Sequence, residues 1–111
     1  MNTFSAIAEP TRRNIIELLA SSGQLSSSDI SDKFKVSPPA ISQHLKVLRE
    51  AKLVYMEKVA QRRIYSINPA KLSEIEEWTK KMRIRWEKKF LRLDTLLENQ
   101  EKGGKTWIIK G

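Results

Sequence analysis

The side chains best suited to a chemical task lie in the run SPPAISQHLKVLR, from Ser37 to Arg49. At helical spacing Ile41, Leu45 and Leu48 share one face at i, i+4 and i+7. Pro39, Ser42, Gln43, Lys46 and Arg49 fall largely on the opposite side. That side is short, polar and cationic, as expected of a helix that enters a DNA major groove, where hydrogen-bonding groups meet base edges and cations meet phosphates. The competing assignment is an ordinary helical hairpin with a solvated polar face.

The elements that must position this helix are legible around it. Ser37 suits its N-cap, and Pro38 the first helical position, where no N–H is needed. Val36, just before the cap, can staple onto Ile41. A preceding helix starts at Ser26, with Asp29 three residues on in a near capping box, and takes an apolar face from Ile30 and Phe34. Lys35-Val36-Ser37 interrupts the pattern between the two. The pair, from Ser26 to Val54, reads as a helix-turn-helix with the second helix as the reader.

Strand formers follow in Leu53 to Val59 and again in Arg63 to Ile67, with Ala60-Gln61-Arg62 between them. A hairpin directly after a reading helix is a wing. Its tip carries Lys58, Arg62 and Arg63, placed for phosphates or a minor groove. The plainer alternative is a solvated hairpin with routine surface charge.

The flanks supply scaffolding. Phe4 and Ile7 share a helical face before Glu9-Pro10 breaks and restarts the helix. Ile15, Leu18 and Leu19 continue an apolar face to a stop at Gly23. Asn68-Pro69 ends the second strand, and a long helix is expected from about Ala70 to Asn99. Its stripe of Leu72, Ile75, Trp78, Met82, Trp86, Phe90, Leu93 and Leu97 recurs every three or four residues. A domain this small is not expected to bury that stripe alone. Much of it therefore reads as a homodimer seam of Ile75, Trp78, Met82, Trp86, Phe90, Leu93 and Leu97, with Phe4 and Ile7 contributing. The alternative is an intramolecular core helix, and the front half is expected to do both jobs. The chain is thus expected to form one domain over residues 1–99 and a flexible tail over 100–111 that contains Gly103-Gly104.

Composition narrows the partners. In 111 residues, 21 Lys and Arg stand against 13 Asp and Glu, a formal charge of +8. Such a balance favours a polyanion, nucleic acid ahead of a membrane, although charge alone would also suit a basic protein with no such partner. There is no cysteine and one histidine, His44. Disulfides, thiolate metal sites and cysteine nucleophiles are therefore out, and no cofactor is implied. No apolar run is long enough to span a bilayer, and the N-terminus has no secretory pattern, so the expected compartment is the cytoplasm. Nothing suggests an enzyme: there is no Gly-rich phosphate loop, no paired carboxylate site and no nucleophile–histidine arrangement.

Taken together, F-x-x-I-A-E-P-T-R-R-x-I-I-E-L-L, S-D-I-S, V-S-P-P-A-I-S-Q-H-L-K-V-L-R-E-A-x-L-V and R-x-Y-S-I-N-P resemble the ArsR family of repressors over about Phe4 to Leu97. The resemblance implies a mainly α winged helix-turn-helix ordered α-α-α-α-β-β-α. It also implies a homodimer joined by the terminal helices on a two-fold operator, and release of double-stranded DNA when an effector binds. Carried over by position, the reading-helix contacts fall on Ser37, Pro39, Ser42, Gln43 and Lys46, and the wing contacts on Lys58, Arg62 and Arg63. Gln43 can pair with an adenine edge, Ser42 can reach a base or a phosphate, and Lys46 suits a phosphate. His44, flanking the apolar face, reads as structural or phosphate-contacting, with metal ligation behind both.

The departures are specific. Ser26 and Ser28 stand where arsenic- and cadmium-sensing members hold thiolates, and serine hydroxyls are poor soft-metal ligands. The last helix has no histidine where zinc sensors carry one. A small apolar effector entering the aromatic seam, or no effector, is expected instead. Lys52 and Ala60 stand near positions where the family commonly has glycine, and a left-handed backbone at either would cost on the order of 1 kcal/mol. The rival function is a winged helix used for protein docking or sequence-indifferent DNA binding.

Overall fold

Helix starts in this chain are set by local side chains. The computed structural model describes the backbone of residues 2–100 and the side chains of residues 2–92. In α1 (Thr3–Ala8) the Asn2 side chain accepts from the Ser5 N–H, and in α2 (Pro10–Ser22) the Glu9 carboxylate accepts from the Arg12 N–H. α3 (Ser27–Ser31) opens on a complete capping box: Ser26 Oγ accepts from the Asp29 N–H, and Asp29 Oδ2 accepts from the Ser26 N–H. α4 (Pro38–Glu50) starts at Ser37, whose Oγ accepts from the Ala40 N–H at 3.3 Å, with Pro38 and Pro39 in the first turn. Each cap satisfies a donor that the helix itself cannot.

β1 (Leu25–Ser26) lies between α2 and α3, followed after α4 by β2 (Val54–Val59) and β3 (Arg62–Ile67). All three form one antiparallel sheet in the order β1-β3-β2. The sequence pattern contains the two longer strands but not β1, which pairs only Leu25 with Tyr65 and Ser26 with Ile64. α3 is also shorter than its apolar spacing suggests. It ends at Ser31, and Phe34 sits past it, half-buried against the core, where turn bonds from Lys33 and Phe34 replace the helical ladder.

Two units are distinct, one up to Ile75 and one from Glu76 onward. The first holds the core: Ile15 and Leu19 from α2, Ile30 from α3, Ile41, Leu45 and Leu48 from α4, then Leu53, Val54 and Tyr65. Full burial of such side chains contributes about 1.5–3 kcal/mol each. Ile7 and Ile75 pack half-buried on this core, whereas Phe4 is exposed. In the second unit α5 (Pro69–Gln100) continues as a helix on which Trp78, Trp86 and Leu91 are exposed, and Met82, Ile84 and Phe90 are half-buried. The Trp86 and Phe90 rings lie 6.1 Å apart. The side chains of Leu93 and Leu97, and the expected tail beyond Gln100, lie outside the described residues.

The end of α4 is closed by backbone geometry. The Leu53 N–H donates to the Leu48 carbonyl and the Lys52 N–H to the Arg49 carbonyl. This is a Schellman motif with Lys52 in the left-handed position, φ 63°. Asn68 locks the same corner from the other side. Its Nδ2 donates to the Lys52 carbonyl at 2.8 Å, and its Oδ1 accepts from the Ala70 N–H as α5 begins. The wing turn has a second left-handed residue, Ala60 at φ 59°. Lys52→Gly should therefore gain about 0.5 kcal/mol, the relief of left-handed strain less the added freedom of the unfolded chain, while Lys52→Val should lose about 1 kcal/mol. Urea denaturation of both variants checks the sign.

Candidate nucleic-acid interface

With Ile41, Leu45 and Leu48 buried, α4 turns its other side outward. Pro39, Ser42, Gln43, Lys46 and Arg49 are all exposed there, with Ser37 at the cap. Ser42, Gln43, Lys46 and Arg49 line one cleft of about 230 Å³ with Arg63 and Tyr65 of β3 and Ser27 of α3. The lining holds three cations, two hydroxyl-bearing serines, a tyrosine and an amide, but no carboxylate. An anion is therefore the charge complement of this cleft.

The wing cations divide in a way their closeness in sequence hides. Strand alternation puts Lys58 and Arg63, which are ladder partners, on the face shared with Met56 and Tyr65. Like charges placed opposite each other are unfavourable until a counter-ion joins them. Arg62 falls on the other face, and its Nη2 forms an ion pair with Asp29 Oδ2 at 3.3 Å. Both side chains are open to solvent, which screens the pair, so it contributes little and yields readily to a stronger anion. The structure thus brings Ser42, Gln43, Lys46 and Arg63 together, sets Lys58 across the ladder from Arg63, and turns Arg62 toward α3. Ser27 and Tyr65 join the cleft without a prior sequence signal. Ser27 arrives there because β1 docks on β3, and Tyr65 is mainly a core residue.

The E-P-T-R-R stretch has a structural role that spacing does not reveal. α1 leaves four carbonyls without helical partners. Arg12 donates from Nε to the Ala6 carbonyl at 2.6 Å and from Nη2 to that of Ser5 at 3.4 Å. Arg13 Nη1 serves the carbonyls of Ile7 and Ala8 at 2.9 and 3.1 Å. Two consecutive arginines at the start of α2 therefore cap the whole C-terminal end of α1, and cations are favoured there. Arg12 Nη1 also lies 3.4 Å from His44 Nδ1 on α4.

Among the described residues no group of three or more His, Cys, Asp or Glu side chains is placed to hold a metal ion, and no helix is long and apolar enough to cross a membrane.

Residues 9–55 match the family described as bacterial regulatory protein, arsR family. The chain is 38% identical over 77 residues to the transcriptional repressor SdpR of Bacillus subtilis (strain 168), covering 69% of this chain and 84% of SdpR. The chain belongs to the ArsR family. Its fold is similar to that of an ArsR-like transcriptional regulator from Rhodococcus sp. RHA1, with a TM-score of 0.72 at 26% identity over 90% of this chain and 91% of the other. It is also similar to the crystal structure of a possible transcriptional regulator for arsenical resistance, with a TM-score of 0.68 at 35% identity over 74% and 84%. This ArsR-family chain is a DNA-binding transcriptional regulator and not an enzyme, with the winged helix expected from its sequence.

Two carboxylates in this region are held below their ordinary values. The Arg12 backbone N–H, above all, stabilises ionised Glu9. The Ser26 hydroxyl, then its N–H, and then the Arg62 guanidinium stabilise ionised Asp29. A carboxyl depressed in the folded state binds its proton more readily when unfolded, so its stabilisation is present above the ordinary value and is lost as pH falls. Urea midpoints should hold steady down to the ordinary values of 4.5 and 3.8 and then decline. Glu9→Gln and Asp29→Asn should each flatten part of that decline.

Proposed function

We propose that this ArsR-family regulator is a cytoplasmic homodimeric repressor that reads a two-fold operator through α4 and grips its backbone through the wing. The observation that carries this is the cleft beside α4, where Ser42, Gln43, Lys46, Arg49 and Arg63 converge with no carboxylate among them. Gln43 offers the amide pair that matches an adenine edge, and Ser42 a hydroxyl for a base or phosphate. Lys46 takes a phosphate. Ser37 and Pro39 lie where the first turn of α4 meets the groove. Lys58 and Arg63 share one phosphate between them, which relieves their mutual repulsion, and Arg62 exchanges Asp29 for a phosphate on binding.

Residues 1–99 serve as one DNA-binding and dimerisation domain. Exposed apolar side chains support the dimer: Trp86 is 60% and Trp78 48% exposed on α5, beside half-buried Met82 and Phe90. Phe4 on α1 is 43% exposed. Ile7 and Ile75 pack half-buried against the core, and the proposed seam also takes in Leu93 and Leu97, whose side chains lie outside the described residues. Thiophilic ions are not the signal, because the chain has no thiolate to bind them.

Gln43→Ala should cost about 1–3 kcal/mol on the preferred site and relax specificity. Lys46→Ala should weaken all sequences alike and reduce the salt slope by about one. Anisotropy titrations on selected and scrambled duplexes separate the two, and equal losses on both duplexes for both variants would refute the assigned roles. Sedimentation should show a wild-type dimer at micromolar concentration and a monomer for Trp86→Glu with Phe90→Glu, because each introduces a charge into an apolar contact.

A further inference from the structure

We infer that His44 is a phosphate-binding residue of the reading helix, donating from Nε2 to the DNA backbone, and that Arg12 is the residue that positions it. The inference rests on α4 being the reading helix and adds a contact on its other flank. Successive residues of a helix are about 100° apart, so His44 lies roughly 200° round α4 from Ser42, on the side away from the Arg63 cleft. A helix in a major groove has a phosphate strand along each flank. Lys46, Arg49 and Arg63 serve one of them, and His44 is the polar side chain of α4 that faces α2.

The orientation of the ring follows from its partner. Arg12 Nη1 lies 3.4 Å from Nδ1. A guanidinium carries only donors, so this contact is a hydrogen bond when Nδ1 accepts, which in the neutral ring puts the proton on Nε2. Arg12 is held in turn by its bonds to the Ala6 and Ser5 carbonyls at the end of α1. The other ring nitrogen is open. Among the described residues His44 has no hydrogen bond besides that to Arg12, and no buried side-chain nitrogen or oxygen of this fold lacks a partner. Nε2 of this half-buried residue therefore reaches solvent as a donor without an acceptor. The Glu9 carboxylate is near enough to His44 to interact with it electrostatically, but it accepts its hydrogen bond from the Arg12 N–H at the start of α2 and makes none to the ring. A phosphate oxygen is the acceptor that a reading helix meets on its flank.

The test uses the full chain and a duplex it selects from random-sequence DNA. Having one histidine, the chain gives one imidazole in ¹⁵N spectra. In mildly alkaline buffer Nδ1 should resonate as the unprotonated nitrogen, and adding the duplex should shift Nε2 and slow exchange of its proton. His44→Ala should lose about 3- to 10-fold in affinity, the worth of one neutral hydrogen bond, on selected and scrambled duplexes alike. Its salt slope should not change, because no charge is removed. His44→Gln, whose amide can donate from a similar place, should recover most of the loss. Arg12→Lys should weaken binding, and combining it with His44→Ala should cost no more than His44→Ala alone, with folding of each variant checked by thermal melting. Wild-type affinity in His44→Ala, an Nε2 signal indifferent to DNA, or additive losses in the double variant would overturn the inference. Loss of binding in Gln43→Ala and Lys46→Ala with none in His44→Ala would sink this contact alone. Wild-type binding in all three would sink the reading helix itself.

Discussion

The burial of Ile41, Leu45 and Leu48 is the constraint on which the rest depends. Three side chains on one face of α4, each almost completely removed from water, fix the rotation of that helix about its axis. Once the rotation is fixed, Ser42, Gln43, Lys46 and Arg49 have no choice but to face outward. The ends of the helix are fixed just as firmly. Ser37 caps one, and the Schellman closure at Lys52, tied to Asn68, sets the other. A reading helix must hold its side chains to a fraction of a base-pair step, and here both termini and the inner face are pinned by hydrogen bonds or burial.

Charge is distributed unevenly around this fixed helix. Arg12 and Arg13 are spent on the carbonyls of α1, and Arg62 is balanced by Asp29. Lys46, Arg49 and Arg63 meet in a cleft without a carboxylate in its lining. The net charge of +8 therefore overstates the general attraction to polyanions and understates its focus. Focused charge favours a defined docking geometry over loose association, which is what a regulator selecting one site among many requires.

Much of this was legible in the sequence because it depends on short-range rules. The Ser26 and Ser37 caps, Pro38 in the first turn, the apolar stripe of α4 and the two long strands all follow from neighbours within four residues. The left-handed positions at Lys52 and Ala60 were visible only through family resemblance, since neither residue type signals positive φ. β1 was hidden because two residues cannot show alternation, and its pairing partner lies about forty positions away. The sequence pattern suggests a longer α3 because Phe34 packs on the core from a turn while keeping helical spacing. The task of Arg12 and Arg13 stayed hidden because guanidinium-to-carbonyl bonds across a helix break leave no periodic trace. The separation of Arg62 from Arg63 needed the register of the wing, which fixes the face of every side chain at once.

Paired operator reading is the central claim, and hydroxyl-radical footprinting of the full chain on DNA fragments it selects tests it most directly. Two protected half-sites related by two-fold symmetry, centred about 34 Å apart on one face of the duplex, are expected if two copies of α4 enter successive major grooves. A single asymmetric patch, or uniform protection with no preferred position, would contradict it.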